Sequence, residues 1–194
     1  MSFKQYHADR MKNKELPGIA FTFGRFNPTT KGHFENFEVL AKYARKNHTD
    51  AVVYTSQVQN MKKNPLAPAD KIMYLRKIVP NKVRVSDDTT LLNAFMILED
   101  LIKNKHYKRI AFFVGGDRKS DFNDLLKYTK LWSEGTASLE IITSGERKAG
   151  ISGTDLRELV KQNKFKEFKA MLPKGLSIKD QKDIFAKVKI GLGV

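Results

Sequence analysis

Five short apolar runs recur along the chain, at residues 18–24, 50–56, 82–86, 108–114 and 138–143, each rich in β-branched and aromatic residues. Longer segments with helical spacing separate them. Phe34, Phe37, Leu40, Ala41 and Ala44 form one stripe, and Ile72, Leu75, Ile78 and Val79 form another within Ala69–Val79. Leu91, Phe95, Leu98 and Ile102 form a third, with Thr89-Thr90 as the expected N-cap. Short buried strands alternating with helices predict an α/β fold: a Rossmann-like parallel sheet of about five strands with helices on both faces. Such sheets bind ligands at the carboxyl ends of their strands, near the switch in strand order. The turn at Gly24, the segment after Ser56, Gly115-Gly116-Asp117 and the Ser152 region each follow a predicted strand, so all four are expected on one rim.

The expected organisation is a polar, basic N-terminal arm over 1–17, a domain over 18–173 and a helical tail over 174–194. Ile178, Ile184, Phe185 and Val188 make the tail amphipathic, which suits docking on the domain or on a partner. Residues 57–68 hold two prolines and several polar side chains without apolar periodicity. They predict a mobile loop over the rim.

Composition narrows the function. At 194 residues and 41% hydrophobic, the chain can bury one good core. It has no apolar run of about 18 residues, so no membrane span is expected, and no apolar stretch of a signal peptide at its start. With no cysteine, thiol nucleophiles, disulfides and Cys-based zinc sites are excluded. A cytoplasmic protein is the expectation, in the host cytoplasm if the chain is viral. The 36 basic against 21 acidic residues give a net charge of +15. That excess favours polyanionic partners, but a nucleoside triphosphate satisfies it as well as nucleic acid does, and solvated surface lysines explain much of it.

The chemistry concentrates in two segments. Residues 24–33 read Gly-Arg-Phe-Asn-Pro-Thr-Thr-Lys-Gly-His directly after a strand. Gly24 lets the backbone approach a ligand, and the helix opening near Lys31 offers unpaired N–H groups to an anion. His33, behind Pro28 and Gly32, is placed to donate to a phosphoryl oxygen as charge builds there. Thr30 suits both a helix cap and a phosphate contact, and Arg25 and Lys31 flank the turn. The second segment, Ile151-Ser-Gly-Thr-Asp-Leu-Arg157, is another helix entry. Capping explains one hydroxyl, whereas Ser152, Thr154 and Arg157 together suit a single anion. Asp117, after Gly115-Gly116, would place a carboxylate at a strand end, as ribose contacts require. Lys62, Lys63 and Asn64 are loop candidates for closing on phosphates. No Gly-x4-Gly-Lys-Ser/Thr, Gly-x-Ser-x-Gly or metal-ligand spacing is present.

These residues resemble the nucleotidylyltransferase superfamily. Gly24-x-Phe26-x-Pro28-x-Thr30-x-Gly32-His33 matches its first motif, and Ile151-Ser152-x-Thr154-x-x-Arg157 its second. Gly24-Arg25-Phe26 and the run Lys63-Asn64-Pro65-Leu66 through Ala69-Asp70-Lys71-Ile72 are similar to archaeal nicotinamide-mononucleotide adenylyltransferases. Gly116-Asp117-Arg118 through Leu126, with Ser144-Gly145-Glu146-Arg147, is similar to cytidylyltransferase-like proteins of large tailed bacteriophages. Thr30 stands where the nicotinamide-mononucleotide and glycerol-phosphate enzymes usually have histidine; threonine there is the habit of pantetheine-phosphate adenylyltransferases.

The resemblance implies AMP transfer from ATP to a phosphorylated acceptor, with nicotinamide mononucleotide leading and Mg²⁺-pyrophosphate leaving. Pantetheine phosphate as acceptor and CTP as donor are the alternatives within the class. It implies His33, Thr30 and Arg157 as the catalytic set. Phe23, Gly24, Arg25, Phe26, Gly32, His33, Gly115, Asp117, Ser152, Thr154 and Arg157 would bind the nucleotide. A nucleic-acid-binding or virion-associated protein on the same fold is the alternative of another class, with steep salt dependence as its signature. A homo-oligomer is open.

Overall fold

The computed structural model describes residues 18–115, 120–144 and 152–194; the N-terminal arm and Asp117 lie outside them. Among the described residues the sheet has five strands: β1 (Ile19–Gly24), β2 (Asp50–Thr55), β3 (Val83–Val85), β4 (Arg109–Val114) and β5 (Ser138–Thr143). Every pairing is parallel and the order is β3-β2-β1-β4-β5. The connection from β1 runs to β2 on one side, whereas β4 returns to the other. The switch in order therefore falls between β1 and β4, where a crevice opens at the carboxyl ends.

Successive strand residues face opposite sides, and the two cores follow from that alternation. Ala20, Val53 and Phe113 join one apolar cluster with Phe37, Leu40 and Ala44 of α1 (Lys31–Asn47) and Leu75 and Ile78 of α2 (Pro68–Ile78). Phe21, Tyr54 and Phe112 join the other with Ile97 and Leu98 of α3 (Ala94–Glu99) and Leu125 of α4 (Asp124–Trp132). Phe21 and Phe112 stack across β1 and β4 at 4.5 Å, a gain of about 0.5–1.5 kcal/mol beyond burial.

Three details differ from expectation. The third helix is capped by Asn93, whose side chain accepts from the Met96 N–H, and not by Thr89-Thr90. Thr90 instead hydrogen-bonds the Asp88 carboxylate through both its N–H and its hydroxyl, closing a separate turn. Helix α3 then runs into a π-helical turn over Asp100–Asn104, and Phe95 faces outward against Tyr128.

The tail forms α7 (Ile178–Leu192), following α5 (Gly153–Lys161) and α6 (Phe165–Met171). Its Ile184, Val188 and Leu192 are buried in the first cluster, so it docks on the domain. Polar ties run from α2 to α7: Tyr74 donates to Asp183, and Lys187 to Asp70 at 2.7 Å.

Candidate active site

Phe26 determines the shape of the first motif. It adopts φ 43°, in the left-handed region that bulky residues rarely occupy. Its ring is 4% exposed and packs edge-on against His33 at 5.1 Å and Phe37 at 5.3 Å. A Cβ on Gly24 would lie 2.6 Å from that ring, so the glycine is required by the ring folded over it. Phe26 thus supports the site from the core, its ring packed on His33 and Phe37. Gly24→Ala is expected to destabilise the protein by about 1–3 kcal/mol through overpacking, read as a lower urea midpoint. Adding Phe26→Leu should recover part of the loss; an unchanged midpoint in Gly24→Ala alone would show that the ring shifts freely.

Thr30 and His33 form a capping box at the start of α1. The Thr30 N–H donates to His33 Nδ1 at 3.0 Å, and the Thr30 hydroxyl accepts from the His33 N–H at 3.4 Å. An imidazole that accepts at Nδ1 carries its proton at Nε2 when neutral. The box therefore selects the tautomer with a donor at Nε2. Thr30 is 1% exposed, so its visible role is to orient His33. Phe23 and Gly32 are half-buried, and Arg25 and Lys31 are exposed beside the turn.

The second motif opens α5 with another capping box. Ser152 accepts from the Asp155 N–H at 3.2 Å, and its own N–H and hydroxyl donate to the Asp155 carboxylate at 2.8 and 2.6 Å. These bonds hold the Asp155 carboxyl below its usual range. The Ser-x-x-Asp spacing is the local signal of this cap, and Ser152 is the hydroxyl it engages. Gly153 brings the helix close to the first motif: a Cβ there would lie 3.5 Å from the Asn27 carbonyl and 3.6 Å from that of Pro28.

Arg157 joins the two motifs. It donates to the Asn27 carbonyl at 2.8 Å and to the Thr154 hydroxyl at 2.9 Å. Burial, and next the nearby Arg25 guanidinium, hold Arg157 below its ordinary value. Two arginine charges from distant segments thus lie close enough to repel, a cost that a bound anion beside them would relieve. Gly115 directly follows β4, the strand that pairs in parallel with β1, which ends at Gly24.

The segment 57–68 is more firmly held than its composition predicts. The Asn60 side chain accepts from the N–H groups of Lys62, Lys63 and Asn64, closing a turn. Asn27, absent from the expected set, accepts from the Leu66 N–H at 2.8 Å and donates to its carbonyl at 3.2 Å. Asn64 and Leu66 are buried, and Pro65 sits against Gly191 of α7, where any Cβ would meet its carbonyl at 2.1 Å. Side-chain amides satisfy this backbone, which is why apolar periodicity was no guide. Lys62 and Lys63 are exposed at the tip, whereas Asn64 is turned inward. His48 and His106 are exposed and lie outside both motifs.

A parallel sheet with two helix entries and two arginines at its switch point defines a nucleotide-binding α/β domain. A model of cytidylyltransferase-like proteins matches residues 21–159, and the chain belongs to that family. Among solved structures, a Vibrio parahaemolyticus protein provisionally named a nicotinate-nucleotide adenylyltransferase is similar, with a TM-score of 0.60 and 19% identity. The match covers 86% of this chain and 98% of that one. TmcAL of Thermotoga maritima, solved bound with alpha-thio ATP, matches with a TM-score of 0.52 and 11% identity, over 88% of this chain and 55% of that one. At such identities the likeness shows the fold. A search of curated proteins finds no match.

Proposed function

We propose that this chain is a nucleotidylyltransferase that transfers AMP from ATP to a phosphorylated acceptor, with nicotinamide mononucleotide the leading acceptor. A phosphate oxygen of the acceptor attacks the α-phosphorus, the bond to the bridging oxygen breaks, and pyrophosphate leaves. The nucleophile is already an anion, so positioning and charge neutralisation supply the rate. The observation that carries this reading is the Arg157–Asn27 contact, which joins motifs 130 positions apart beside His33.

In this reading His33 donates from Nε2 to the α-phosphate as charge accumulates, and Thr30 holds its ring. Arg157 and Arg25 neutralise the β- and γ-phosphates, with Thr154 and the N-terminal N–H groups of α5 assisting. Gly24 and Gly115 line the crevice, and Asp117 contacts nucleotide or acceptor. Lys62 and Lys63, exposed at the tip of the 57–68 loop, would close on the phosphates. Mg²⁺ enters as part of the substrate, on the triphosphate. Among the described residues no group of three His, Asp or Glu side chains forms a metal site of its own.

The family match favours CTP as the second donor to test, and pantetheine phosphate or an alcohol phosphate as further acceptors. Pyrophosphate release should be measured for ATP and CTP against each acceptor. One pair is expected to exceed the rest by orders of magnitude; no release with any pair, from folded protein, would refute the transferase reading.

A further inference from the structure

We infer that Lys71 is a positioning residue of this site, holding the end of β2, through Ser56, against the Gly24–Phe26 turn. The inference deepens the nucleotidyl-transfer reading and rests on it for what the turn receives. Lys71 lies on the buried face of α2 and is 1% exposed. Lysine is almost never so buried without a partner charge. Its ammonium donates to the Ser56 carbonyl and, at 3.2 Å, to the Ser56 hydroxyl.

Ser56 ties the end of β2 to the end of β1. Its N–H donates to the Gly24 carbonyl at 3.0 Å, while its own carbonyl and hydroxyl accept from Lys71. One residue earlier, the Thr55 hydroxyl donates to the Arg25 carbonyl at 3.4 Å. The ammonium therefore bears on both backbone contacts that set the turn. The small space beside it is lined by Phe26 and Thr29 from the first motif, Leu66 from the loop, and Ile184 from α7. Tyr74, on the same helix, is the titratable neighbour in that lining; Asp70, Asp183 and Lys187 pair with one another and with Tyr74 along the α2–α7 seam.

Burial pulls the Lys71 ammonium down to about 8. Because this value lies below that of an unfolded lysine, the cost of burial is full below about pH 8 and is relieved as pH rises towards the ordinary lysine value. A methionine would fill the same space without that cost. What the ammonium gives in return for that cost is its pair of hydrogen bonds to Ser56 at the end of β2.

The test compares Lys71→Met and Lys71→Gln with the wild type as full chains. It reads melting temperature, kcat and KM for ATP by pyrophosphate release, and amide exchange of peptides covering 19–27 and 52–57 without nucleotide. Both variants are expected to fold. In Lys71→Met, kcat should fall by about tenfold or more, as a displaced catalytic turn does, with KM for ATP moving less than about threefold. Exchange at the turn and at Ser56 should quicken, and Lys71→Gln, which keeps a donor for the carbonyl, should recover part of both effects. Wild-type kcat and exchange in folded Lys71→Met would overturn the inference. Failure of both variants to fold would also overturn it, by assigning Lys71 to stability alone. Absence of pyrophosphate release from the wild type would count against the transferase reading instead, since the exchange result stands without turnover.

Discussion

His33→Ala is expected to lower kcat by about 10²–10³ while leaving ATP affinity nearly unchanged. A single preorganised donor to a developing negative charge is worth roughly that factor. The effect falls on kcat because the hydrogen bond strengthens as the α-phosphate becomes pentacovalent, whereas the ground-state nucleotide is held by other groups. The alanine also removes the acceptor of the buried Thr30 N–H, so some stability is lost with it. His33→Gln separates the two effects. Glutamine suits the third position of a capping box, so the melting temperature should return towards wild type while kcat stays low. Near-wild-type kcat in His33→Ala at saturating substrates would remove the histidine from the chemistry.

Arg157→Ala is expected to weaken ATP binding by roughly ten- to a hundredfold and to lower kcat/KM at least as much. A charge-assisted hydrogen bond to phosphate contributes about 1.5–3 kcal/mol and acts in ground and transition states alike. The same substitution takes the donor from the Asn27 carbonyl, so the two motifs lose their direct tie. Arg157→Lys keeps the charge but cannot serve Asn27 and Thr154 in two fixed directions, and should restore affinity only in part. Calorimetry on folded protein decides the matter: unchanged ATP affinity in Arg157→Ala would show that the second motif does not hold phosphates.

Much of this was legible along the chain because it depends on local pattern. The central strands β1, β2 and β4 are runs whose residues alternate between two buried faces, and burial on both faces demands near-continuous apolar character. Capping boxes are equally local: Thr30 with His33 and Ser152 with Asp155 each lie three residues apart, the distance at which one side chain reaches a helix's first free N–H. The positions of Gly24, His33 and Arg157 at one rim followed from strand direction alone.

Other features depend on what comes near in space. Lys71 occupies a position that helical spacing marks as buried, yet its charge argued for solvent; only the Ser56 carbonyl, fifteen residues away, explains how an ammonium rests there. The 57–68 segment looked unanchored because its fastenings are amides: Asn27 across thirty-nine positions and Asn60 within its own turn. Phe26 stood among the nucleotide-binding residues implied by the resemblance, and only the packed structure shows its ring, on a left-handed backbone, folded over Gly24 and buried. By itself, the sequence determined the layered sheet, its ligand-bearing edge and the residue types there, since periodicity and capping act over a few residues. Tertiary structure alone decided which polar groups satisfy one another, because a buried donor takes whichever acceptor the packed chain brings within about 3 Å.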